Sequence, residues 1–243
     1  MSDAETSGAD PRSLPALIVG VLRSDGVSMF GIACGCITLI PAVWFGPTLT
    51  GADAQIWGPE ILFFLLFGHA ALVHRGVSRL RGHRGAWTES VVASGRKIAP
   101  LSLWLLLALP AVLIGTVLLI LPGVYVLVLL LPFVPCVLER PGLAGAFHQS
   151  VTLSQGHRGE LVRTFVAWSM VFFFVCVLPT CCLNGLAAPD EVVDEFPLSY
   201  VLFSFTLLGG LLAGLLVLIS AFSACSYIWL VEKSGQEPAP ARF

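Results

Sequence analysis

Long apolar runs alternate with short polar breaks along this chain. Apolar residues dominate roughly 27 to 45, 57 to 74, 99 to 121, 123 to 138, 161 to 183 and 198 to 230. A hydrocarbon core about 30 Å thick needs about 20 such residues per helix, so about six transmembrane helices are predicted. Two of the polar breaks carry a pattern of their own, "AWTESVVASGRK" from Ala86 and "AFHQSVTLSQGHRGE" from Ala146. Aligned without a gap, Ala86, Trp87, Ser90, Val91 and Ser94 match Ala146, Phe147, Ser150, Val151 and Ser154. On a helix of 3.6 residues per turn these positions form one stripe. Each break is therefore predicted to be a short amphipathic helix with a packing stripe used twice. Gly95-Arg96-Lys97 and Gly156-His157-Arg158 would close them, with cations at the negative end of the helix dipole.

Each amphipathic helix follows an inward-going span and precedes an outward-going one. Residues about 57 to 121 and 123 to 183 thus make a candidate internal repeat in parallel orientation. The expected fold is all-α, a polytopic membrane helix bundle in one domain over 25–231. A disordered tail at 1–24 and a short tail at 232–243 would flank it.

Composition agrees with that frame: 56% of the 243 residues are hydrophobic and 12% charged, which leaves no segment for a second, water-soluble domain. Charge adds the orientation. All 13 Lys and Arg fall in the N-terminal tail, 75 to 97, 140 to 163 and the C-terminal tail. The loop at 184 to 197 instead carries Asp190, Glu191, Asp194 and Glu195. The positive-inside rule then puts both termini in the cytoplasm of a cell with a multi-pass protein in its plasma membrane. Retention of the first span is expected, with cleavage near "ADAQ" at Ala52 to Gln55 as the alternative.

Smaller signals refine the bundle. Gly31 with Gly35 and Gly210 with Gly214 are G-x-x-x-G steps that would let helices approach closely. Pro110, Pro132 and Pro135 would bend the third and fourth spans. The last apolar run, Leu198 to Leu230, exceeds one crossing and should tilt, protrude or bend. Seven cysteines show no C-x-x-C pairing, which favours packing over redox chemistry.

Candidate chemistry is sparse. Glu139 with Arg140, at the end of the fourth span, forms an interfacial pair that could anchor the amphipathic helix. His69 and His74 are ionisable groups in the second span, which makes His69 a candidate for a proton or ligand contact. Arg75, Arg79, Arg81, Arg84, Arg96 and Lys97 lie where anionic lipid headgroups would meet them, at about 1 kcal/mol each. His148 and His157 mark where the second phrase differs from the first. No metal-ligand spacing, Walker loop, nucleophile elbow or dinucleotide turn occurs, so neither metal nor cofactor is expected, and no nucleic-acid partner.

The run "LPGVYVLVLLLPFVPCVLERPGLAGAFHQSVTLSQGHRGELVRTFV", Leu121 to Val166, resembles the membrane domain fused to some glycerophosphoryl diester phosphodiesterases and its stand-alone, mostly uncharacterised bacterial relatives. Pro122-Gly123, Glu139, Ala146 to Ser150 and Gly156 carry the resemblance, which reaches more weakly back to about Ile61 through Arg81-Gly82 and Ala86 to Ser90. It implies a membrane architecture without the hydrolytic barrel, for which these tails leave no room. The reading is a non-enzymatic scaffold or partner subunit in the envelope, in contact with anionic lipid or another membrane protein. The alternative is a small transporter or lipid-handling protein, and a third, a membrane enzyme, would need Glu139, His148 and His157 in one pocket.

Overall fold

Leu14, Leu17, Ile18, Val21, Asp25, Met29, Ala33 and Ile37 recur every three or four residues, the spacing of one helix face, and all eight are buried. A computed structural model describes residues 13–50, 58–83, 86–103, 106, 110, 125–126, 128, 130–139, 142–186 and 198–235, and the stripe forms the inner face of α1, Leu14–Thr50. At 37 residues this helix is about 55 Å long. Residues 14–24, expected in a disordered tail, are thus helical and packed: their apolar positions continue the stripe, although the polar residues between them resemble a solvated segment.

Helix α2, Gly58–Leu80, and helix α8, Leu198–Ser234, complete a packed trio with α1. From Ser220 to Val231 every residue of α8 is buried, so these three turns, just before its exposed end, are surrounded on all sides and serve as the hub of the molecule. Close approach of α2 happens at Gly68 and Gly76. A Cβ at Gly76 would stand 2.8 Å from that of Ala224, and one at Gly68 would stand 3.0 Å from Cys36 Sγ. The G-x-x-x-G steps behave differently from expectation. Gly31, Gly35 and Gly210 have open space where a Cβ would go, and Gly214 alone meets a neighbour, the Phe172 ring at 3.2 Å.

Between α2 and α8 the chain builds two helix–glycine–helix corners. In the first, α2 ends, the backbone reverses at Gly82 (φ +80°), and α3, Trp87–Arg96, folds back against α2. In the second, α4, Phe133–Glu139, ends, the backbone reverses at Gly142 (φ +93°), and α5, Leu143–Ser154, packs on α4. Helix α6, Arg158–Phe172, then runs into a π-helical turn, Phe173–Val177, and into α7, Leu178–Leu186. Pro179 stands two residues past that turn; its missing N–H and its ring disfavour a regular α-helical ladder there.

Proline also explains a contact in the hub. Pro135 removes the donor that the Leu131 carbonyl would meet one turn later. The Ser223 hydroxyl of α8 donates to that carbonyl at 2.5 Å instead.

The described residues form eight α-helices and no strand. Among the described residues, three stretches are long and apolar enough to cross a membrane: Leu14–Ile37, Arg158–Leu183 and Thr206–Ser234. The middle one leaves Met170, Val171, Phe173, Phe174, Val175, Leu178 and Leu183 exposed, an apolar surface suited to hydrocarbon rather than water. Cys181 and Cys182 lie on it, and none of the seven cysteines is joined in a disulfide.

Candidate functional site

Polar chemistry concentrates at the end of the bundle where α2 and α4 terminate. Asp25 sits on the buried stripe of α1, and one helical turn separates Arg75 from Arg79 on α2, so both guanidiniums reach the same carboxylate. Arg75 Nε and Nη2 donate to Asp25 Oδ2 and Oδ1 at 2.5 and 3.0 Å, and Arg79 Nη2 donates to Oδ1 at 3.2 Å. The side chains of Asp25 and Arg75 are 5% and 8% exposed, which makes this a nearly dry bidentate pair. Two cations against one carboxylate leave the triad with a net positive charge.

A second polar knot joins the two corners to the hub. Arg81, one residue past α2, lies 2.7 Å from Glu139 Oε1 through its Nη2. Glu139 Oε2 accepts the Tyr227 hydroxyl of α8 at 2.6 Å. Glu139 therefore fastens three segments, the end of α2, the end of α4 and the last turns of α8. Deeper in the bundle, His69 Nδ1 lies 2.8 Å from Ser220 Oγ, which itself donates to the Leu216 carbonyl at 2.6 Å. A hydroxyl has one proton to give, so His69 donates from Nδ1 and Ser220 accepts.

The α2–α3 corner encloses a cavity of about 530 Å³, within the size range of small-ligand sites. Its wall contains Arg75, Arg79, Arg96 and Lys97, with Glu89 as the carboxylate facing them. His74 Nδ1 and Ser90 Oγ, 3.1 Å apart, tie α3 to α2 at its inner edge. Ser94, fully buried, donates to the Ser90 carbonyl at 2.8 Å and so spends its donor within α3.

The residues singled out in the sequence separate into distinct settings. Arg75 and Arg81 are held in ion pairs, Arg79 is shared between Asp25 and the cavity, and Arg96 and Lys97 belong to the cavity wall. Arg84 and Arg140 lie outside the described residues, as do Asp190, Glu191, Asp194 and Glu195. His148 is exposed on α5, whereas the His157 ring packs edge-on against Trp229 at 5.2 Å. Glu139, His148 and His157 thus have three different environments, and among the described residues no cluster of three metal-ligating side chains occurs. On the packing stripe, Ser90, Ser94, Ser150 and Ser154 are buried, Val91 and Val151 are half-buried, and Trp87 and Phe147 are exposed. Ala86 is exposed where Ala146 is buried.

Five buried polar residues escape the sequence reading. Asp25 continues the heptad-like stripe of α1, which is the signal that would have found it. Tyr227 has no local signal, because its partner is 88 positions away. Ser220, Ser223 and Ser226 recur every third residue in an otherwise greasy helix, and that recurrence marks a buried polar seam. No family model, curated protein or solved structure matches the chain.

Proposed function

We propose that this chain is a multi-pass membrane protein with six spans that acts as a non-enzymatic scaffold or partner subunit in the cell envelope. The observation that carries the reading is the use made of its buried polar groups. Asp25, Arg75, Glu139, Tyr227, His69, Ser220 and Ser223 are all engaged in fastening one helix to another or to its own backbone. Groups spent in this way are poor candidates for a reacting centre, and they suit a rigid platform. The resemblance of Leu121 to Val166 to a phosphodiesterase-associated membrane domain points the same way.

The six-span count adds spans over 57 to 74, 99 to 121 and 123 to 138 to the three long apolar helices. The two corners then take matching places between inward and outward spans, as a parallel repeat requires. The positive-inside bias puts the corners and both termini on the cytoplasmic side. Cysteines introduced at Glu89 and Asp190, in a cysteine-free background, should react with an impermeant maleimide from opposite faces of the membrane. Labelling from one face alone would overturn the topology. Affinity purification from native membranes should recover a stoichiometric protein partner; a chain recovered alone would count against the scaffold.

A second reading, lipid handling, is favoured by one specific feature, the cationic cavity of the α2–α3 corner.

A further inference from the structure

The two corners share a register. Displaced by sixty positions, Gly82, Gly85, Ala86, Trp87, Ser90, Val91, Ser94 and Leu101 correspond to Gly142, Gly145, Ala146, Phe147, Ser150, Val151, Ser154 and Leu161. The correspondence extends to the backbone. Lys97 N donates to the Ser94 carbonyl at 3.1 Å and His157 N to the Ser154 carbonyl at 3.2 Å. Leu101 N donates to the Lys97 carbonyl and Leu161 N to the His157 carbonyl, both at 3.1 Å, and both leucines are fully buried.

What the register does not preserve is charge. Arg75, Arg79, Arg96 and Lys97 correspond to Pro135, Glu139, Gly156 and His157. The second corner closes, caps and buries its serines without any of the four cations, so the shape of a corner does not require them; in the first, Arg75 and Arg79 also hold Asp25, whereas Arg96 and Lys97 take no part in that anchor. A general preference for cations on one side of a membrane does not account for the difference either, because both corners lie on that side.

In the first corner the four cations share one cavity wall with Glu89, and Asp25 stands behind Arg75 and Arg79. Four cations against two carboxylates leave two positive charges, with histidines neutral. Of the five N–H donors of a guanidinium, Arg79 spends one on Asp25, and its side chain remains 29% exposed. Arg96 is exposed at the end of α3. A preorganised cationic pocket of this size, at a membrane surface, suits an anion with several acceptor oxygens.

We propose that the α2–α3 cavity binds a phosphate group, presented either by an anionic phospholipid headgroup or by a phosphate ion in solution, with Arg79, Arg96 and Lys97 as its contacts. The proposal deepens the lipid-handling reading and relies on that reading only for placing the cavity at a membrane surface. Carbonate extraction of native membranes tests the membrane placement separately, since release of the chain would sink that placement and leave the phosphate arm intact.

The protein purified in detergent is titrated with inorganic phosphate alone. In parallel it is placed in bilayer nanodiscs of phosphatidylcholine with and without phosphatidic acid, and retained lipid is identified by native mass spectrometry. Preferential retention of phosphatidic acid assigns the headgroup as the source, and saturable phosphate binding without lipid preference assigns the ion. Removing both cations in the pair R96Q/K97Q should weaken whichever binding is found roughly thirtyfold. The pair R158Q/R163Q removes the same charge from the second corner and should leave it near wild type. E89Q, which adds no bulk and cannot weaken a cationic wall, should tighten it. Wild-type protein that retains both lipids equally and binds no phosphate overturns the proposal. So does an R96Q/K97Q pair that binds like wild type, or an E89Q variant that leaves binding unchanged.

Discussion

The first corner, α2–Gly82–α3, and the second, α4–Gly142–α5, have nearly the same shape and nearly opposite chemistry. Each reverses at a glycine of positive φ, each buries two serines one helical turn apart, and each holds an aromatic outward, Trp87 at 57% and Phe147 at 53% exposure. The first then carries four cations around a cavity. The second carries Glu139 where the first has Arg79, and proline, glycine and histidine at the other three places. The difference teaches that packing and the cationic cavity are separable in this fold: the corner is a structural element in its own right, and four cations line a cavity at the first, whereas Arg158 and Arg163 of the second stand on α6 and line no such cavity. It also shows how the corners are joined, since Arg81 of the first meets Glu139 of the second, and Tyr227 of the hub closes the knot.

The largest effect should come from the anchor that only the first corner has. D25A leaves two guanidiniums in a nearly dry site without their carboxylate, and breaking a buried pair in this way costs about 3–5 kcal/mol. The melting temperature in detergent should fall sharply, and chemical accessibility should rise first around α3 rather than around α5. Equal loosening of both corners would show that the asymmetry lies elsewhere.

The knot between the corners should come next. E139Q keeps an oxygen for the Tyr227 hydroxyl but loses the charge opposite Arg81. The Arg81 ion pair, 11–12% exposed, is lost and the Tyr227 hydroxyl meets a neutral acceptor; a hydrogen bond to a charged group contributes about 2 kcal/mol. Denaturant unfolding checks the value, and Y227F in the E139Q background should add little, because both act through one knot. Full additivity would mean that the two contacts are independent fasteners.

Some of this could be read from sequence and some could not, for definite reasons. The serine stripe was legible because burial on a helix leaves a periodic trace: Ser90, Ser94, Ser150 and Ser154 are buried as their spacing implies. The start of α1 was not, because Arg23, Ser24, Asp25 and Gly26 look like the end of a tail until Asp25 is seen to pair with residues 50 and 54 positions away. Close helix contact was expected at G-x-x-x-G and occurs at Gly68 and Gly76, eight residues apart. Spacing alone cannot say which face of a helix meets a neighbour. The cationic segment was legible as a segment, but its division into paired and cavity-lining residues depends on three-dimensional partners.

A more delicate comparison sets the two glycines against each other. Among the described residues, neither Gly82 nor Gly142 has a non-adjacent atom within 4 Å of the place a Cβ would take, so substitution meets no steric clash there. What remains is the cost of placing an L-residue at positive φ, about 1–3 kcal/mol. Gly142 combines φ +93° with ψ 130°, outside the left-handed helical basin, so G82A and G142A should both destabilise in thermal or denaturant unfolding, with G142A at the upper end of that range. A cost at one and none at the other would break the structural equivalence of the corners, whatever their sequences share.

The smallest stability effects belong to Trp87 and Phe147. Both are exposed, and exposed substitutions usually stay within about 0.5 kcal/mol, so W87A and F147A should leave unfolding in detergent almost unchanged. Their equivalent outward positions fit amphipathic helices lying in a membrane interface, where aromatic rings settle at headgroup level. In that setting a ring has a partner that detergent unfolding cannot register. W87F should reduce the share of tryptophan emission quenched by lipids brominated near the headgroup, while F147W should increase it, as expected of two corners that present their rings at the same depth. Quenching of an F147W probe by bromines near the bilayer centre, or no quenching at all, would separate the two corners again. The charge difference would then accompany a difference in depth rather than a ligand.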